Sequence, residues 1–150
     1  MSLYMETTGI SAERTAQEIG TLLAQAGANA VLTTFGKDRK ITGLSFKLHV
    51  QNRDVPFSLP ARIQPVFVYL QKKKSPKNRD KNAQRDIEQA ERVAWRQLYK
   101  WIQAQLAIID VGMVEAAEAF FPYIQNKDGS TLWEKAIQSN NFKLLTEGKE

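Results

Sequence analysis

The residue types that could do chemistry are few. General acid–base work near neutrality calls for a group that titrates there, and the chain has a single histidine, His49. With Ser45 and Lys47 it alternates against Leu44, Phe46, Leu48 and Val50, so it belongs to the solvent face of a strand. There is no cysteine, which excludes disulfides, thiolate nucleophiles and cysteine-ligated zinc. A metal would have to be held by carboxylates, and the close pair Glu115 and Glu118 has the spacing of an ordinary solvated helix face. No glycine-rich phosphate loop follows a strand, and no serine sits in a nucleophile elbow. The expectation is a non-catalytic protein with neither cofactor nor metal.

Charge is the feature that stands out. Between Lys72 and Arg85 lie Lys72, Lys73, Lys74, Lys77, Arg79, Lys81 and Arg85 against Asp80, so this stretch carries a net +6 in a chain of +5. The remainder is nearly neutral. Local charge of this kind favours an anionic partner, nucleic acid before membrane.

The elements that must position these cations follow from periodicity. Ser11 caps a helix with apolar positions Ala12, Ala16, Ile19, Leu22 and Leu23, and Gly27 stops it. Asn29–Phe35, Leu44–Val50 and Val55–Leu59 read as three short strands joined by polar turns, an antiparallel meander with helices on one face. Pro56 and Pro60 make the third an edge strand. Pro65 opens a short helix that frays into the lysines, and 72–80 reads as a basic loop broken at Ser75-Pro76. A long helix is predicted from about Asp80 to Ile109, with Gly112 just past its end. A short helix is expected over Met113–Phe121, stopped by Pro122, and a last one is opened by the capping-box pair Thr131 and Glu134. The expected architecture is a single α+β domain over 1–150: a helix, a three-stranded meander, a long amphipathic helix and two to three shorter ones. Residues 1–10 are expected to be flexible and 143–150 frayed. With no signal sequence and no apolar run near the roughly 20 residues that span a bilayer, the expected setting is the cytoplasm, with no membrane partner.

On the long helix, Ala83, Ile87, Ala90, Ala94, Leu98, Trp101, Ile102 and Ile109 define a buried arc. Lys81, Arg85, Arg92, Arg96 and Lys100 fall within about 100° on the other side. Trp95 and Tyr99 lie on the flank, where an aromatic ring can stack on a base. Two readings of this stripe stay open: a track for single- or double-stranded nucleic acid, or a solvated helix face. A different class of function, protein interaction or self-assembly, is suggested by Trp101, Phe120, Phe121, Tyr123, Trp133 and Phe142, large apolar groups that one small core has difficulty burying.

The run Ala94-Trp95-Arg96-Gln97-Leu98-Tyr99-Lys100-Trp101 through Ala104-Gln105-Leu106-Ala107, then Phe121-Pro122-Tyr123 and Asp128-Gly129-Ser130-Thr131, resembles a group of small uncharacterised proteins encoded by bacteriophages, prophages and other mobile elements. Leu22-Leu23, Ala26-Gly27-Ala28 and Phe57-Ser58-Leu59-Pro60 fit the same group. The resemblance implies a mobile-element origin and a host-cell setting. It implies no activity and no site residues.

Overall fold

A computed structural model describes residues 2–139 and 142–143. The architecture is α+β, in the order α1 (Ala12–Gln25), β1 (Ala30–Phe35), β2 (Ile41–Val50), β3 (Arg53–Pro60), α2 (Ile63–Lys72), α3 (Ala83–Asp110), α4 (Ala116–Ala119) and α5 (Leu132–Gln138). Short 3-10 turns intervene at Pro76–Asn78 and Phe121–Tyr123. The strands form one antiparallel sheet in the order β1-β2-β3.

Local chemistry explains most boundaries. Ser11 accepts the Arg14 amide at 3.1 Å, satisfying an orphan donor at the start of α1. Gly27 and Gly112 follow α1 and α3 with φ of 105° and 85°, a conformation that costs a residue with a Cβ. At α5 the Thr131 hydroxyl accepts the Glu134 amide at 3.2 Å and the Glu134 carboxylate accepts the Thr131 amide at 3.3 Å.

Two expected boundaries need correction. The long helix begins at Ala83 rather than near Asp80, because Asp80 takes a left-handed φ of 64° that cannot open a helix. Helix α4 covers only Ala116–Ala119, and Pro122 sits inside a 3-10 turn instead of stopping a helix. The proline is tolerated there because the first positions of such a turn need no N–H donor. Within residues 1–10, the stretch from Leu3 to Thr8 lies against α3: Gln89 Nε2 donates to the carbonyls of Glu6 and Thr8, each at 3.0 Å. Of the tail expected to fray, residues 144–150 lie outside the described residues.

The core forms between the helices and the inner face of the sheet. Leu44, Phe46 and Leu48 of β2 and Phe57 and Leu59 of β3 pack with Ala16, Ile19 and Leu23 of α1 and with Trp95 and Ile102 of α3. The register pairs Phe46 with Phe57, their rings stacked 5.1 Å apart, and Phe120 closes the cluster edge-on at 5.4 Å from Phe46. Trp101 packs edge-on against Phe120 and Tyr123, so three of the late aromatics join this core. Phe121, Trp133 and Phe142 stay exposed.

Helix α3 contacts α1 and α2 and shares its core with the sheet. Its buried set, Asp86, Ala90, Val93, Ala94, Trp95, Arg96 and Ile102, is therefore wider than the arc expected of a helix covered on one side. Trp95 is a fully buried core residue rather than a flanking one.

Sheet packing is close at Gly43, where an added Cβ would meet the Leu59 carbonyl oxygen at 2.6 Å and the Pro60 Cα at 3.2 Å. Both obstacles are backbone and cannot rotate away. Gly43→Ala is expected to destabilise the fold by about 1–3 kcal/mol, read as a lowered urea midpoint at unchanged slope.

Candidate nucleic-acid interface

The basic stretch is a folded connection between α2 and α3 rather than a slack loop. At its centre is the buried Gln71 side chain. Its Nε2 donates to Asp86 Oδ2 at 2.8 Å and its Oε1 accepts the Asp80 amide at 3.0 Å. One amide thereby fixes the first turn of α3 and the left-handed residue before it. Arg79 reaches back to the end of α2, its Nε donating to the Gln71 carbonyl at 3.1 Å and its Nη2 to the Lys72 carbonyl at 3.3 Å. A cation on these terminal carbonyls opposes the negative end of the helix dipole.

Two lysines are also committed. Lys74 Nζ donates to Asp86 Oδ2. Lys73 Nζ grips both oxygens of Glu6 at 2.8 and 2.9 Å, tying the docked residues 3–8 to the end of α2. The Lys74 hydrogen bond, then that of Gln71, holds the Asp86 carboxyl below the usual aspartate range against an opposing desolvation. Glu6 is lowered, and Lys73 raised, by the bond they share.

That leaves four cations of the connection uncommitted. Lys72, Lys77, Lys81 and Arg85 are exposed and make no ion pair or side-chain hydrogen bond among the described residues. They come from the end of α2, the 3-10 turn, the approach to α3 and its first turn, so the fold presents them together on one folded connection.

The expected stripe along α3 does not continue from there. Arg96, placed on the solvent side by its helical angle, is buried at 6% exposure. Helix α1 covers it: Nη1 donates to Glu18 Oε2 at 3.0 Å and to the Thr15 hydroxyl at 3.3 Å. Its guanidinium lies 4.2 Å from the centre of the Tyr99 ring, so Arg96 occupies a face of Tyr99 that base stacking would use. Arg92 is half-buried and donates twice to Gln89 Oε1, at 3.0 and 2.7 Å. Lys100 is exposed, with Nζ 4.2 Å above the Tyr4 ring. Of the eleven residues expected to contact nucleic acid, Lys72, Lys77, Lys81 and Arg85 are free, Lys100 is accessible over an aromatic ring, and Lys73, Lys74, Arg79, Arg92, Arg96 and Tyr99 are engaged within the fold.

The sequence carried one signal for this division that spacing alone does not expose. Gln71 and Asp86 are polar groups at positions the fold buries, and each has to recruit donors from the neighbouring lysines and backbone.

The other chemistry-bearing residues are in plain roles. His49 is exposed and pairs with Asp54 Oδ1 at 3.1 Å. Glu118 Oε1 accepts the Glu115 amide at 3.3 Å, so that acidic pair serves the start of α4. Among the described residues no three His, Asp or Glu side chains gather as a metal site, and no helix is long and apolar enough to cross a membrane.

Asp86→Asn removes the charge that Lys74 neutralises, and is expected to cost about 1–3 kcal/mol at neutral pH. Because its folded pKa is lowered, Asp86 stabilises the fold above the ordinary aspartate pKa, and that contribution fades as pH falls through the lowered value. Urea titrations from neutral to acid pH should show the two proteins converging at low pH. Comparison of the chain with family models, curated proteins and solved structures finds no match.

Proposed function

We propose that the chain is a non-catalytic nucleic-acid-binding protein, an accessory factor of a phage or other mobile element, that holds backbone phosphates on the connection between α2 and α3. The carrying observation is that four exposed cations, Lys72, Lys77, Lys81 and Arg85, are left without a carboxylate partner on a connection that hydrogen bonds hold in shape. A flexible basic tail would lose ordering entropy on each contact, whereas this connection is ordered before it binds. Contact is to phosphate rather than to bases. Trp95 is buried and Tyr99 carries Arg96 on its face, so neither ring that helical spacing put beside the cations offers the open platform that gives single strands their advantage. The binding mode this supports is sequence-independent and accommodates duplex as readily as single strands.

Fluorescence anisotropy with labelled single- and double-stranded oligonucleotides tests the proposal. Four phosphate contacts predict a log–log salt slope of about 3 to 4 on duplex. Replacing Lys72, Lys77, Lys81 and Arg85 together by glutamine should abolish binding and leave the unfolding midpoint nearly unchanged. Arg96→Met should do the reverse, lowering stability by about 1–3 kcal/mol as the Thr15 hydroxyl loses its donor and Glu18 is left with Arg14 alone, with the salt slope intact. Absence of binding by the unaltered protein at low salt would overturn the reading.

A second reading, a protein-interaction module, is supported by Val111 and Met113, exposed at 71% and 76% just after α3, and by Phe121, exposed at 57% in the 3-10 turn after α4. Oligonucleotide binding that survives the four-glutamine substitution would overturn the placement of phosphates on the α2–α3 connection, whereas no binding with a defined protein complex would favour this second reading.

A further inference from the structure

Residues 3–8 form a strap along α3, beside the basic connection. Gln89 lies one turn along the helix from Arg85, on the same face, and donates from Nε2 to the carbonyls of Glu6 and Thr8, each at 3.0 Å. Further along, Gln97 Nε2 donates to the Tyr4 carbonyl, and Lys100 Nζ stands 4.2 Å above the Tyr4 ring. Within the strap, the Glu6 amide donates to the Leu3 carbonyl at 3.1 Å and the Thr8 amide to the Met5 carbonyl at 3.0 Å. The Leu3 amide also donates to Glu6 Oε1 at 3.2 Å, which helps to orient the carboxylate.

Glu6 is the one acidic residue of the strap, and the fold delivers it to a lysine. Lys73 Nζ donates to both of its oxygens, at 2.8 and 2.9 Å, with the Lys73 side chain still 40% exposed. Among the described residues two carboxylates ion-pair with the connection, and they differ in kind. Asp86 belongs to the first turn of α3 and receives Gln71 as well as Lys74, so it is part of what holds the connection in shape. Glu6 arrives from the other side of the sequence, and Lys73 is the cation it removes. Asp80 makes no ion pair and removes none. An ion pair this close to solvent is weak on its own. The anchors at Gln89 and Gln97 keep the Glu6 carboxylate beside Lys73 and so raise its effective concentration there.

We infer that the strap is an intramolecular competitor for nucleic acid: the Glu6 carboxylate stands where a backbone phosphate would contact Lys73, and its release adds a fifth cation to Lys72, Lys77, Lys81 and Arg85. The inference rests on the nucleic-acid reading above and supplies its regulation. A phosphate that reaches Lys73 must first displace an anion that the fold has already ordered, so the affinity of the connection is held down from within the chain.

Glu6→Gln in the whole chain removes the charge and keeps the side-chain shape and the backbone anchors. In anisotropy titrations with a labelled duplex at about 50 mM salt it should bind roughly threefold more tightly or better, and its log–log salt slope should rise by about 0.9, the increment of one phosphate contact. Glu13→Gln controls for charge alone. Glu13 is exposed on α1 and makes no ion pair among the described residues, so its loss should leave the slope unchanged. Adding Lys73→Gln to Glu6→Gln should cancel the gain, because both act through one contact. A gain no larger than that of Glu13→Gln, or one that survives Lys73→Gln, would overturn the inference. Acetylation of lysines, read by mass spectrometry without oligonucleotide, separates the two readings. Glu6→Gln should raise the reactivity of Lys73 relative to Lys72 roughly threefold, since the pair with Glu6 holds the Lys73 ammonium in its charged form. Unchanged reactivity overturns the competition and leaves the nucleic-acid reading standing. Raised reactivity with no binding by either chain overturns the nucleic-acid reading, and the competition with it.

Discussion

Helix α3 has to be buried around more than half of its circumference, and the rest of the molecule is arranged to meet that demand. Val93 is fully buried although it projects about 160° away from Trp95 and Ile102, which are fully buried on a shared side, so cover from helices α1 and α2 and from the sheet is needed. At roughly 1.5–3 kcal/mol for each large apolar side chain, this burial is a principal stabilising contribution in so small a domain. The aromatic cluster of Phe46, Phe57, Trp101, Phe120 and Tyr123 extends it, which is how three late aromatics come to lie inside while Phe121 and Trp133 remain at the surface.

Burial of that extent changes what the basic residues do. Once α1 covers α3, an arginine at position 96 cannot stay in water, and its charge is retained only because Glu18, Thr15 and the Tyr99 ring receive it. The same accounting applies at the other end of the helix, where the buried Asp86 and Gln71 draw in Lys74 and the connecting backbone. Cations of the segment are thus split by solvent access: those near buried polar groups become structural, and the rest remain available to an outside anion.

Helical and strand periods made the order of elements, the sheet type, the edge position of β3 and most of the α3 core readable from the sequence. Ser11, Gly27, Gly112 and the pair Thr131 and Glu134 gave ends that the structure keeps, because capping depends on residues only a few positions apart. Arg96, Trp95 and Asp80 were misplaced for one shared reason. Each is decided by what packs against it from far along the chain or by a single backbone angle, and helical spacing carries neither. The candidate site was legible as a concentration of charge, and its division into paired and unpaired cations required the tertiary contacts of Gln71, Asp86 and Glu6.

The docking of residues 3–8 has a consequence for the order in which the molecule can be completed. Glu6 and Thr8 offer their carbonyls to Gln89, more than eighty positions later, and Glu6 clasps Lys73. On a growing chain these residues emerge early and must wait, without their partners, until α3 has been synthesised and has left the ribosome. Contacts of such separation close slowly because the intervening loop must first lose its freedom. The clasp across α2 and α3 therefore helps to order the basic connection only in a chain that has been made through to its long helix.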